Sequence, residues 1–367
     1  MKIVIDTRII NSSTGRYVER LVHYLEKIDQ DNEYILLVPK KDLNYYKPTN
    51  PNFSIQEANF ANYSLAEQFG LLKLLDQLKP DLVHFCMPQQ PIFYRGKHVT
   101  TVHDLTLLNT YNSDKNWLVF KFKQLIGRFV FYLIGHTSAQ IITPSQFTKD
   151  QYAKFANISF DKITVTYEAS DVNTTTSEAY SPLLNKQFLL YVGQQSDYKN
   201  IRRLMQAHQQ LRKKHPNLML VFAGSLSGKN GAPLVANKDW AIKQRYGGIL
   251  FTDFVSDAQL TWLYQHCATY VFPSLMEGFG LPGLEAMTAG APVASSNATC
   301  LPEIYKDAAY YFDPHNVTDM AQKIDDILQN SSLRKKLINR GHKLAKTYSW
   351  QKMAKQTLNV YNNILTK

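Results

Sequence analysis

Pro273-Ser274-Leu275-Met276-Glu277-Gly278-Phe279-Gly280-Leu281-Pro282-Gly283-Leu284-Glu285-Ala286-Met287-Thr288-Ala289-Gly290 carries its prolines and glycines where a strand ends, a loop opens and a helix starts and stops. It follows Tyr270-Val271-Phe272, a β-rich run that ends at Pro273. Gly278 and Gly280 then open a loop. Pro282 suits the first turn of a helix and Gly290 suits its stop. The pattern is strand, loop, helix, with free backbone N–H groups at the helix start that attract anions. Glu277 falls in the loop and Glu285 one turn into the helix. Two carboxylates beside an anion site suit a ligand bearing hydroxyls as well as phosphate, because carboxylates accept hydrogen bonds from vicinal diols. An ordinary β–turn–α unit with surface glutamates has the same outline.

The same alternation runs through residues 188–345. Phe188-Leu189-Leu190-Tyr191-Val192-Gly193 reads as a strand, residues 200–214 as a helix, and strands follow near 218–223, 249–252 and 269–272. A separate series opens the chain. Lys2-Ile3-Val4-Ile5-Asp6 is a strand. Asn11-Ser12-Ser13-Thr14-Gly15 supplies a turn, and Leu21, Val22, Leu25 and Ile28 recur at helical spacing. Tyr34-Ile35-Leu36-Leu37-Val38 is the next strand. Residues 42–60 read as an irregular connection, 64–78 as a helix, and 81–86, 98–102 and 139–143 as strands. The expected fold is therefore α/β, with two doubly wound Rossmann-like domains facing across a cleft. The expected boundaries are 1–170, a polar linker 171–187, 188–345, and a C-terminal helix 346–367 crossing back to the first domain.

Length and composition agree. A chain of 367 residues is long enough for two domains, and 44% apolar residues supply two cores. Lys plus Arg outnumber Asp plus Glu by 41 to 30, and the resulting +11 charge favours anionic partners without choosing among them. Three scattered cysteines, Cys86, Cys267 and Cys300, give no C-x-x-C pair and suit a reducing compartment. The N-terminal residues lack the apolar core of a secretory signal, and no 18-residue apolar run is present, so a cytoplasmic location is expected. No D-x-D motif stands in a suitable loop and no H-E-x-x-H occurs. Asp325-Asp326 reads as a solvated pair on a polar helix. The basic, aromatic segment 115–134 reads as a helix buried on the first sheet, apolar nearly all round. Its alternative is a helix lying on an anionic membrane.

In the first series, Thr101-Val102-His103-Asp104-Leu105 follows a strand, where a His–Asp pair can exchange protons or bind sugar hydroxyls. A structural His at a loop start is the alternative.

These segments resemble the family-4 (group 1) retaining glycosyltransferases of GT-B fold. Glu277 and Glu285 match that family's E-x7-E signature. Leu301-Pro302-Glu303-Ile304 and Asp307-Ala308-Ala309-Tyr310-Tyr311-Phe312-Asp313-Pro314 resemble the segment that follows it. Tyr191-Val192-Gly193 and Tyr198-Lys199-Asn200-Ile201 resemble the start of its second domain, and the first-domain segment resembles its V-H-D-L.

The resemblance implies a hexosyltransferase. Glu285 would bind the donor ribose and Glu277 the C3 and C4 hydroxyls of the transferred sugar. Backbone N–H groups of Phe279, Gly280 and Leu281 would hold the sugar or diphosphate. Lys199 would balance charge on the leaving diphosphate, and His103 would lie beside the sugar. Phe254 and Val255 would lie by the base, and Gly15 would approach the donor phosphate. GT-B enzymes need no bound metal, so neither cofactor nor metal is expected.

GDP-mannose is the favoured donor, with UDP- or dTDP-sugars as the near alternative. The acceptor would be a glycan or a polyprenyl or other lipid-linked hydroxyl, with peripheral contact to an anionic membrane face. No nucleic-acid motif is recognisable. Two departures stand out. Gln194 and Gln195 occupy places where many relatives have Arg, so that either diphosphate binding relies more on Lys199 or Arg202 or Arg203 substitutes, and the family often has a glycine near Asp253. A phosphorylase-like enzyme using pyridoxal phosphate and a non-catalytic nucleotide- or polyanion-binding protein are the readings from other classes.

Overall fold

The computed structural model of the chain describes residues 1–12, 14–62, 64–109, 117–172, 174–224 and 236–366. Ser13, Lys115, Asn116 and Asn173, all part of the sequence reading, lie outside the described residues. Two units result. One comprises Met1–Asn109, Asn116–Glu168 and Ser349–Lys367, and the other includes Ala169–Tyr348. Residues 171–187, read as a linker, fall in the second unit, and the C-terminal helix Trp350–Leu365 falls in the first.

Among the described residues, the first unit is built on seven strands: β1 (Lys2–Asp6), β2 (Glu33–Val38), β3 (Phe53–Glu57), β4 (Leu82–Phe85), β5 (His98–Thr101), β6 (Gln140–Thr143) and β7 (Ile163–Val165). Their order is β3-β2-β1-β4-β5-β6-β7 and every pairing is parallel. β3 corrects the reading of 42–60 as irregular. Its sequence, Phe-Ser-Ile-Gln-Glu, is short and half polar because it is an edge strand with one neighbour.

The second unit holds β8 (Phe188–Val192), β9 (Met219–Ala223), β10 (Ile249–Asp253), β11 (Thr269–Phe272), β12 (Val293–Ser296) and β13 (Ala309–Phe312), in the order β10-β9-β8-β11-β12-β13. These pairings are parallel too. In both sheets the direction of winding reverses beside the unit's first strand, between β1 and β4 and between β8 and β11. The space outside the carboxyl ends of those strands is where doubly wound sheets bind ligands. Gly15 follows β1, Lys199 follows β8 and Glu277 follows β11.

Two further readings need correction. Asp325 is not solvated. Helix Val317–Gln329 turns it inward, where Lys214 Nζ lies at 2.8 Å and His215 Nε2 at 2.7 Å. Burial alone would raise its pKa, but hydrogen bonds from Lys214, His215 and Gln329 pull it down to about 2. Among the described side chains of the helix Trp117–Thr137, one face is buried and the other is not. Phe131 and Ile134 enter the core with Leu105, Leu108 and Tyr152, while Leu125, Ile126, Phe129 and Tyr132 face solvent. An all-round apolar pattern does not distinguish the two faces, and the exposed side keeps its apolar residues.

Candidate active site

In the second unit, Gly280 caps helix Leu281–Thr288 in the left-handed region, at φ +92°. A Cβ there would lie 2.5 Å from Tyr305 Oη and 2.7 Å from Leu301 Cδ2. Only glycine satisfies both the backbone angle and the close packing. Tyr305 Oη also donates to the Gly280 carbonyl, which fixes the loop from beneath. Phe279 is buried, its ring edge-on to Tyr348. Leu281 opens the helix, with Pro282 in its first turn as the sequence required.

Glu277 meets Lys199 at this loop. Lys199 Nζ donates to Glu277 Oε1 at 2.7 Å, and both side chains are largely buried. Burial works against the Lys199 ammonium, but the Glu277 carboxylate overrides it, with Tyr191 and Tyr198 adding less, and holds the pKa above its ordinary value. The Nζ also sits 5.1 Å from the Tyr198 ring centroid and 5.7 Å from that of Phe272. Lys199 ends a single helical turn, Asp197–Lys199, and Asn200 follows it at φ +61°.

Glu285 is buried on the helix, where its Oε2 accepts from Tyr264 Oη at 3.1 Å. Val255 is nearly buried, whereas Phe254 is 83% exposed and free to stack on an incoming planar group. Asp253 itself sits in the left-handed region, at φ +60°. Neither arginine near Lys199 stands idle. Arg202 Nε donates to Asn237 and its guanidinium lies 5.6 Å from the Trp240 ring centroid, while Arg203 donates to Asn200 Oδ1 at 3.0 Å. Gln194 is exposed, and its carbonyl accepts from Tyr191 Oη.

Sequence reasoning passed over the residues that hold this arrangement. Asn200 Nδ2 donates to the carbonyls of Pro273, at 3.0 Å, and Pro314, at 2.8 Å, tying the ends of three loops together. Tyr198 O accepts from Leu275 N at 2.8 Å. Thr299, at φ +56°, accepts from the Glu277 backbone N–H, and Cys300 Sγ donates to the Glu277 carbonyl. An asparagine placed directly after a lysine at a helix start was the one available signal. The remaining contacts join residues too far apart to be read locally.

In the first unit, Gly15 opens helix Gly15–Ile28, its N–H donating to Ser12 O at 2.9 Å. A Cβ there would collide with the Ile10 carbonyl, so packing alone demands glycine. His103 is half-buried two residues past β5, its Nε2 3.0 Å from the Cys86 carbonyl and its Nδ1 3.6 Å from Glu168 Oε1. Asp104 turns back to accept from Thr106 N at 2.8 Å, so the His–Asp pair of the sequence points two ways.

Two adjoining family models match the chain. Glycosyltransferase Family 4 matches residues 14–174 and Glycosyl transferases group 1 matches residues 173–344. The O-antigen chain mannosyltransferase B of Escherichia coli is 35% identical over 236 residues, 60% of this chain and 60% of that protein. The serotype-specific mannosyltransferase WbdA of Escherichia coli is 28% identical over 286 residues, 73% of this chain and 34% of that protein. The matched region thus spans less than two thirds of either relative. Anabaena HepE, solved in complex with UDP-glucose, superposes with a TM-score of 0.76 at 16% identity, covering 99% of this chain and 100% of that one. At that identity the likeness concerns the fold, which is GT-B.

Proposed function

The chain belongs to the group 1, family 4 glycosyl transferases, and from that premise we propose that it is a retaining hexosyltransferase moving mannose from GDP-mannose to a hydroxyl of a glycan or lipid-linked acceptor. The observation that carries this reading is the buried Lys199–Glu277 pair at the carboxyl ends of β8 and β11. A fixed cation beside a hydroxyl-accepting carboxylate supports the reading, because a sugar diphosphate needs both.

Lys199 balances the charge that grows on the diphosphate as it leaves. Glu277 accepts from the C3 and C4 hydroxyls of the sugar, and Glu285 accepts from the ribose diol. The N–H groups of Phe279, Gly280 and Leu281 hold the sugar or diphosphate. Phe254 and Val255 lie by the base, Gly15 approaches the phosphate, and His103 hydrogen-bonds the sugar. The leaving phosphate takes the acceptor proton, so retention needs no side-chain nucleophile, and the reaction needs no metal. Mannose is favoured by the two mannosyltransferase relatives. A UDP-sugar is the second reading, favoured by the UDP-glucose that HepE carries on the same fold.

No helix among the described residues is long and apolar enough to cross a membrane. The exposed row Leu125, Ile126, Phe129 and Tyr132, with exposed Lys121 and Arg128 on the same helix, supports peripheral attachment to an anionic membrane surface.

The test is release of nucleoside diphosphate from GDP-mannose, UDP-glucose and dTDP-glucose in EDTA, with and without crude glycan and polyprenyl-phosphate acceptors. Release from GDP-mannose that Glu277→Gln abolishes supports the reading. Release confined to UDP-glucose moves the donor to the second reading. Nucleotide binding with no release from any donor returns the chain to the non-catalytic binding reading.

A further inference from the structure

Three strand ends of the first unit converge on the His103 ring. Cys86 follows β4 directly, His103 lies two residues past β5, and Glu168 lies three residues past β7. The Cys86 carbonyl can only accept, so the His103 nitrogen 3.0 Å from it, Nε2, carries a proton. That leaves Nδ1 as the nitrogen open to other chemistry, and it faces Glu168 Oε1 at 3.6 Å.

The ring has little room to turn. Tyr17 packs edge-on against it, with centroids 4.7 Å apart. Tyr17 Oη is itself tied to Thr101 Oγ1 at 2.9 Å, and Thr101 Oγ1 meets His84 Nε2 at 2.8 Å. His84 Nδ1 reaches Tyr361 Oη of the C-terminal helix. Thr148 Oγ1 reaches the His103 carbonyl at 3.4 Å, so backbone and ring are both braced.

Glu168 is buried, and the protonated form of His103 is the one cationic partner that the described residues give it. A carboxylate withdrawn from water persists only where something compensates it. The Nδ1 edge of the ring, 3.6 Å away, answers that need when the imidazole is protonated on both nitrogens. We infer that Glu168 is a positioning residue for His103: it holds the Nδ1 edge of the ring while the Cys86 carbonyl holds the Nε2 edge, so that the sugar meets the imidazole in one orientation and one protonation pattern. The inference rests on the reading of His103 as a sugar-binding residue. Glu168 itself touches no substrate in this account.

The test compares wild type with Glu168→Gln and Glu168→Asp in the full chain, reading donor turnover and the ring 15N resonances of His103. Glu168→Gln preserves shape and removes the charge. It should lower kcat on the order of tenfold, about 1.4 kcal/mol of barrier, with donor KM nearly unchanged, and should move the Nδ1 resonance while Nε2 stays. Glu168→Asp should recover most of kcat and the wild-type Nδ1 position. A merely structural role would lower the melting temperature without a selective Nδ1 change. An Nδ1 resonance identical in wild type and Glu168→Gln, or an undiminished kcat, overturns the proposal. If the wild type turns over no donor, the transferase reading fails, and the Nδ1 comparison still decides whether Glu168 holds the ring.

Discussion

Lys199 Nζ and Glu277 Oε1 lie 2.7 Å apart, joining residues 78 positions distant in sequence into one buried ion pair. The pair joins the loops after β8 and β11, the two strands that flank the reversal of the second sheet. Removing one partner strands the other. Such an uncompensated buried charge costs about 3–5 kcal/mol.

Glu277→Gln and Lys199→Met should therefore each lower the melting temperature of the second unit as well as any turnover. The double variant should be less destabilised than the sum of the singles, because it leaves no lone charge. Calorimetry on the four proteins checks this, and strict additivity would mean that the two groups do not stabilise one another.

Gly280→Ala should destabilise by about 1–3 kcal/mol through backbone strain alone, with more from the clash with Tyr305 and Leu301. Gly15→Ala should be worse still, because the obstacle is the Ile10 backbone carbonyl and not the end of a side chain. Denaturant melts of both variants rank them, and a Gly15→Ala protein as stable as wild type would contradict the packing described.

His84 should make stability fall with acid. Burial, with a smaller push from His103, lowers its pKa from 6.5 to about 3. Between those values the unfolded chain binds a proton that the folded chain refuses. The contribution of His84 is thus complete above pH 6.5 and is lost as pH falls towards 3, with a slope approaching about 1.4 kcal/mol per pH unit. His208, lowered by burial to about 4, acts in the same direction. Melting temperatures from pH 7 to 4 should fall, and His84→Asn should flatten the fall even if its stability at pH 7 is lower. An unchanged slope would mean that His84 titrates in the folded state.

Much of this was legible in residue order. The loop from Pro273 to Gly290 announced its strand, turn and helix through proline and glycine. The alternation of runs gave two parallel sheets. What escaped has a common cause. Val293-Ala294-Ser295-Ser296 is a fully buried strand, but its two serines break the apolar run that would have marked it. Asp325 looked solvated because its partners, Lys214 and His215, are over a hundred positions away. Glu168 carries no local signal either, since only the sheet order, with β6 between them, brings the end of β7 within reach of the end of β5. The helix 117–137 has an apolar pattern that states how much surface it can bury, not how much it does bury.

The proposed donor site puts a nucleotide sugar on the second unit, with Glu285 on the ribose. Titration calorimetry with GDP and UDP, in EDTA, on wild type and Glu285→Ala tests it most directly. The account predicts tighter binding of GDP than of UDP, weakened at least about tenfold in Glu285→Ala, the loss expected for a charged hydrogen-bond acceptor worth about 1.5–3 kcal/mol. Equal GDP affinity in the two proteins would contradict the placement of the ribose, and no heat with either nucleotide would contradict the donor site itself.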